Sequence, residues 1–288
     1  MKKWGFLFVL LMSLGLIFIN IESYFEPKVA IHLHKDIKVG GRGTSEKIQT
    51  IEITEDHIYQ GNLLLVNKVY PVHQMSITSD VINLFTQNEL IDGYELLNSD
   101  IDLSTDLVGK FSKMVAAAEK EGVSNFIITS GFRNFAEQSA LYQEKGSAYA
   151  LPAGYSEHNL GLSLDIGSTQ NKMAVAPEGK WIEKNAWKYG FVLRYPEDKV
   201  DITGIQFEPW HIRYVGLPHS AIMKERNFVL EEYLAFLKDE KHITVRMNNK
   251  KYTITYYPIP EIKTIDLPKD RYFEISGNNM DGVIVTGY

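Results

Sequence analysis

Cysteine is absent from the 288 residues, which excludes disulfide bonds, thiolate metal ligands and a lipidated cysteine. A basic excess is missing too. The net charge is −6, the isoelectric point is near 5.8, and no cluster of lysine and arginine stands out, which argues against nucleic-acid binding. No internal repeat and no low-complexity tract interrupts the chain. What is present is a 44% hydrophobic fraction, ample for a real core, in a length that suits one main domain with appendages.

The N-terminus reads as a membrane anchor. Lys2 and Lys3 precede an uncharged apolar run of 18 residues from Trp4 to Ile21, at the short end of what spans a bilayer. A cleavable signal peptide competes, but the run is long for its apolar core and no small-x-small cleavage pattern follows it. With the lysines first and Glu22 last, the positive-inside rule places the bulk of the chain outside the cytoplasm. Residues 22–57 are polar, with Gly40, Gly41 and Gly43 in their midst, and read as an extracytoplasmic linker. As a flexible coil they would span on the order of 30–35 Å. His32 and His34 lie in that stretch without a third ligand nearby and read as linker residues.

The remaining chain mixes helical and strand periods, so the expected fold is α+β, with a mixed or antiparallel sheet flanked by helices. A first strand is expected at Leu63–Asn67. A helix follows over Ser104–Lys120, capped by Ser104 and ended before Gly122, with Leu107, Phe111, Met114, Val115 and Ala118 as its buried stripe. Val123–Thr129 forms an apolar strand that delivers Arg133 to the loop at its end. Asn134 and Glu137 make a capping box for the next helix, which carries Gln138. A short helix is expected from Gly179 to Tyr189, a strand at Phe191–Leu193, and a long amphipathic helix over Leu217–Asp239. His219 at its start caps or packs. From Ile243 the period changes to 2, and a hairpin around Asn248-Asn249-Lys250 opens a small C-terminal β appendage, residues 241–288.

Two distant segments carry the chemistry. Leu160, Leu162, Leu164 and Ile166 alternate with Gly161, Ser163, Asp165 and Gly167, so one face of this strand is apolar and the other is small, with Asp165 on it. His158 reaches in from the loop just before. The other segment is Glu208-Pro209-Trp210-His211, which Pro209 biases toward extended backbone. His158, Asp165 and His211 match the three-ligand set of an open zinc site. Glu208 remains free to take a proton from the water that such a site activates. Trp210 walls the cavity or belongs to the core, and the sequence leaves both open.

Ser-x-His-x(6)-Asp followed by Glu-x-Trp-His resembles the zinc D,D-carboxypeptidases of the VanY type, associated with glycopeptide resistance. The similarity covers roughly residues 58–288 and includes Asn62–Asn67, Ser130–Arg133, Leu151–Tyr155 and Trp187–Phe191. Ser163 departs from the pattern, standing where Ala is usual. The resemblance implies a Hedgehog/D-Ala-D-Ala-peptidase-like fold and a zinc carboxypeptidase domain over residues 58–240. It also implies one Zn²⁺ per chain and, as substrate, peptidoglycan precursor stem peptides ending in D-Ala-D-Ala. A terminal D-Lac is not distinguished by the sequence. Arg133, Gln138 and Ser156 match substrate-contacting positions. Arg133 would share the oxyanion charge, and Ser156 and Gln138 would help fix the terminal carboxylate. With no serine attacking, β-lactams should find no nucleophile to trap.

Three rivals stand beside this expectation. A zinc L,D-carboxypeptidase would use the same metal motif on tetrapeptides. A non-catalytic cell-wall sensor, as the Hedgehog domain illustrates, has no need of a base such as Glu208. A regulatory metal-binding protein has no need of Arg133 and Ser156.

Overall fold

The computed structural model describes residues 29–33, 48–146, 150–259, 261 and 263–288. The expected anchor and most of the linker, His34 included, lie outside them. Among the described residues no helix is long and apolar enough to cross a membrane. In chain order the strands are β1 (Val29–Leu33), β2 (Ile48–Glu52), β3 (Val81–Asn83), β4 (Tyr94–Leu96), β5 (Asp102–Ser104), β6 (Phe126–Ser130), β7 (Ser163–Ser168), β8 (Phe191–Tyr195) and β9 (Glu208–Tyr214). They continue as β10 (His242–Met247), β11 (Lys250–Pro258), β12 (Thr264–Pro268), β13 (Phe273–Gly277) and β14 (Gly282–Gly287). The helices are α1 (Thr105–Lys120), α2 (Phe135–Lys145), α3 (Pro177–Asn185), α4 (Val200–Thr203), α5 (His219–Arg226) and α6 (Leu230–Glu240).

Two five-stranded sheets organise the molecule. The first runs β4-β6-β7-β9-β8, with β4 parallel to β6 and every other pair antiparallel. Helices α1 and α3 cover one face, where Phe111, Met114 and Trp181 meet Phe126, Leu164, Ile166, Phe191 and Ile212. Side chains alternate along a strand, so Asp165, His211, Arg213 and Arg194 fall on the opposite face. The second sheet, β1-β10-β11-β14-β13, is antiparallel throughout. Helices α5 and α6 pack on one side of it, and Ile53, Ile265 and Leu267, from and beside the β2–β12 ribbon, pack on the other.

Caps account for the helix ends. Ser104 Oγ accepts from Leu107 N–H at 3.3 Å, and the Asn134/Glu137 box closes at 3.0 and 2.8 Å. Asp80 ties the start of α1 to the loop before it, accepting from Ser104 Oγ, Thr105 Oγ1 and Asp106 N–H at 2.7–3.0 Å. Partial burial opposes its charge, yet these donors and Thr78 hold its carboxyl well below the usual range.

Three expectations need correction. Among the described residues Leu63–Asn67 joins no sheet. Its side chains are buried on both sides, Leu63 and Leu65 in one core and Leu64 and Val66 in another. Its polar groups bond to side chains and turns: Leu63 N–H to Ser276 Oγ at 2.9 Å, and Leu65 O to Asn279 Nδ2 at 2.8 Å. The helix expected over Leu217–Asp239 is two helices. Asn227 takes a left-handed φ of 52° after α5, where Asn is tolerated, and the chain turns before α6. Inside the expected linker, Val29–Leu33 and Ile48–Glu52 are strands. Val29 and Ile31 pack against the second core, a pattern too short to read against its polar flanks.

Phe111 is fully buried at the centre of the first core. Phe111→Ala should lower unfolding free energy by about 3–5 kcal/mol in urea denaturation.

Candidate active site

The cavity lies on the polar face of the first sheet, where β7 and β9 run side by side with Asp165 opposite His211 and Ser163 opposite Arg213. Glu208 and His211 are three residues apart, which puts them on opposite faces of a regular strand. A register shift opposite Leu193–Tyr195 sets four steps of β9 against two of β8, an irregular bulge that breaks the alternation, and both side chains reach the cavity. Pro209 sits in that bulge, where a missing ladder donor is tolerated. Gly161, at φ +82°, packs so closely on Thr78 that a Cβ would lie 2.2 Å from its Cγ2, and this fixes the loop that delivers His158.

His158 Nδ1 lies 2.7 Å from the Gly131 carbonyl, so it carries the proton. Nε2 then presents its lone pair, 3.3 Å from Asp165 Oδ2. His211 is oriented the other way round. Its Nε2 lies 3.3 Å from Glu157 Oε2 and is fixed as the donor, which leaves Nδ1 2.9 Å from Asp165 Oδ1. Two nitrogen lone pairs and a carboxylate therefore converge, with donor atoms all within 4.8 Å of one another. Acceptors facing acceptors repel unless a cation or a proton lies among them. Two imidazoles and one carboxylate, each other imidazole nitrogen held by a carbonyl or carboxylate, is a donor set that fits zinc.

All eight residues singled out from the sequence line one cavity of about 540 Å³: Arg133, Gln138, Ser156, His158, Asp165, Glu208, Trp210 and His211. Trp210 is 40% exposed, so it walls the cavity and does not belong to the core. Glu208 is pushed up to about 7, chiefly by burial, with Asp165 and Glu157 adding to the shift. Burial also pulls the Arg133 guanidinium down, against the opposing pull of Asp165 and Glu208. Arg133 Nε is buried and has no partner among the described residues. Gln138 donates Nε2–H to the Leu151 carbonyl at 2.6 Å, and its buried Oε1 has no partner among the described residues. Ser156 Oγ accepts from His158 N–H at 3.4 Å. His219 lies elsewhere, between Tyr233 Oη at 2.7 Å and Thr286 Oγ1 at 3.0 Å.

Four residues escaped the sequence reading. Glu157 is fully enclosed and accepts from Arg194 Nε at 2.9 Å, Arg213 Nη1 at 2.7 Å and Ser163 Oγ at 3.2 Å, besides His211. Burial opposes its charge, but Arg213 and Arg194 hold its carboxyl well below the usual range. Arg194 forks onto Glu231 of α6 at 2.8 and 2.7 Å. A signal existed for these residues. An arginine inside an apolar strand, as at 194 and 213, demands a buried carboxylate partner.

A model of the VanY family, described as D-alanyl-D-alanine carboxypeptidase, matches residues 100–217. Over 99% of its length the chain is 59% identical to the D-alanyl-D-alanine carboxypeptidase of Enterococcus faecium, of which it covers 96%. The chain belongs to the VanY family. Among solved structures this VanY-family chain is similar to the vancomycin-resistance D,D-dipeptidase VanXYg, solved with a D-Ala-D-Ala phosphinate analogue. That match has a TM-score of 0.73 at 32% identity, over 84% of this chain and 99% of the other. It is also similar to the LD-carboxypeptidase LdcB, with a TM-score of 0.52 at 30% identity over 59% of this chain and 84% of the other.

Glu157→Gln leaves two buried guanidinium groups facing a neutral amide and should cost about 3–5 kcal/mol of stability. Ser163→Ala removes a single hydrogen bond to the same carboxylate and should cost about 1 kcal/mol. Urea denaturation of both variants checks the ranking, and equal losses would contradict it.

Proposed function

We propose that the chain is a zinc D,D-carboxypeptidase that removes the terminal D-Ala from peptidoglycan precursor stem peptides and so contributes to glycopeptide resistance. The observation that carries this reading is one cavity holding a convergent His-Asp-His donor set, a carboxyl near neutral pKa and a buried guanidinium with a donor unspent among the described residues. The VanY-family relatives named for this activity support it.

His158, Asp165 and His211 would hold the metal. When bound, zinc supplies a Lewis acid that lowers the pKa of water to about 7 and polarises the scissile carbonyl. Glu208 takes the proton of the attacking water and returns it to the leaving amine, a task for which a carboxyl near 7 is matched at neutral pH. Arg133 meets the charge that develops on the carbonyl oxygen. Ser156, whose oxygen already accepts from His158 N–H, has its own O–H left to donate to the terminal carboxylate. Gln138 suits a different partner from the one expected of it. Its buried Oε1 is an acceptor, so it fits a substrate N–H better than a carboxylate. No side chain attacks the carbonyl, so β-lactams find no acyl acceptor.

The location belongs to the same proposal. The Trp4–Ile21 run behind Lys2 and Lys3 supports a single N-terminal span with the catalytic domain outside the cytoplasm, next to the membrane where its substrate is assembled.

Glu208→Gln should keep its zinc, measured by atomic emission, while D-Ala release from a stem pentapeptide falls about 10²–10⁴-fold. Loss of zinc would place Glu208 among the ligands instead. Glu208 must be ionised to act as base, so wild-type kcat/KM should rise with pH and level off above about 7, a limb the variant lacks. In the metal-free chain His211 is pushed up to about 9, because hydrogen bonds to Asp165 and Glu157 outweigh its burial. Zinc must displace that proton, so zinc affinity in chelator competition should rise with pH between 6 and 9.

A further inference from the structure

We propose that Lys68 is a specificity residue, which takes a carboxylate carried by the substrate upstream of the scissile bond. This inference rests on the carboxypeptidase reading and extends it to the remainder of the peptide.

Lys68 lines the same cavity as Arg133, Glu208 and the His-Asp-His set, although it lies far from all of them in sequence. Its backbone is held in a tight turn. Asn67 Oδ1 accepts from Val69 N–H at 2.9 Å and Tyr70 N–H at 3.2 Å, and Asn67 N–H donates to the Tyr70 carbonyl at 3.2 Å. Its ammonium group reaches across to the Gly204 carbonyl at 2.9 Å. That carbonyl is fixed as well, because Gly204 closes α4 in a left-handed turn with its N–H on Val200 O at 2.8 Å.

Lys68 is exposed, yet its long, rotamer-rich side chain spans from this turn to the Gly204 carbonyl, a neutral partner that leaves its charge uncompensated among the described residues. Among the described residues no carboxylate pairs with Lys68, and two of its three N–H donors remain unspent. Of the cavity's three carboxylates, Glu208 is committed to the proton of the attacking water and the other two are engaged. Glu157 is neutralised by Arg194 and Arg213, and Asp165 faces both histidines. Arg133 and Ser156 already provide for the terminal carboxylate and the oxyanion. A second, separate cation therefore answers a second anionic group on the same ligand. The cavity leaves room for one, since about 540 Å³ is the scale of a drug-sized ligand rather than of two alanines.

The test uses pentapeptides ending in D-Ala-D-Ala that carry a carboxylate at one of the three upstream positions, each paired with its primary amide. The enzymes are zinc-loaded wild type, Lys68→Met and Lys68→Arg. At one upstream position wild type should prefer the acid over the amide by roughly tenfold in kcat/KM, through KM, the size of one charge-assisted hydrogen bond. Lys68→Met should lose that preference and match wild type on the amide, while Lys68→Arg retains most of it. Equal losses on acid and amide would make Lys68 a brace for the Gly204 loop and overturn the proposal. So would a wild type that shows no preference at any position while releasing D-Ala from all the peptides, and the carboxypeptidase reading would survive that result. No release from any peptide would sink both.

Discussion

A carboxylate with no exposed surface, Glu157, sits between two guanidinium groups that are equally enclosed, Arg194 and Arg213. Each of these charges would be costly to bury alone, and together they are tolerable only because nearly every lone pair and proton finds a partner. Arg213 spends its remaining donors on the carbonyls of Asn62, Leu64 and Tyr214. Arg194 spends its own on Glu231. The last acceptor of Glu157 goes to His211 Nε2, and this turns Nδ1 toward Asp165. The orientation of an imidazole in the proposed metal site thus depends on charges that have no contact with solvent.

The same network joins the two halves of the fold. Strands β8 and β9 supply the arginines, the extended Leu63–Val66 segment supplies carbonyls, and α6 supplies Glu231. Behind α6 lies the second sheet, whose Ile243, Val245, Ile254 and Ile284 pack against Leu234 and Leu237. Asn279, at the turn before β14, holds the carbonyls of Leu65 and Pro71. The C-terminal strands therefore back the site physically, through packing on α6 and hydrogen bonds to the 63–71 segment.

The site was more legible in the sequence than its support. His158, Asp165, Glu208 and His211 could be read because metal chemistry demands particular side chains at restricted spacings, and Arg133 because it matches a substrate-contacting position of the resembled family. Helix α1 was plain from its apolar stripe and its serine cap. Glu157 was not, since nothing local marks a carboxylate whose partners lie 37 and 56 residues away. The Leu63–Asn67 segment is a short continuous apolar run of the kind a buried strand shows, but its carbonyls go to Arg213 and Asn279, and no periodicity reveals that. The break between α5 and α6 rests on one asparagine in a left-handed conformation, a signal easily lost in a continuous amphipathic pattern.

The most direct test of the central claim compares two substrates on the zinc-loaded enzyme, with products identified by mass spectrometry. One is a stem pentapeptide ending in D-Ala-D-Ala, and the other is the tetrapeptide that lacks the final residue. D-Ala should be released from the pentapeptide, the tetrapeptide should accumulate uncut, and turnover should stop on chelation and return with zinc. Trimming of the tetrapeptide with the pentapeptide left intact would contradict the central claim, as would turnover that persists after zinc is shown to be gone.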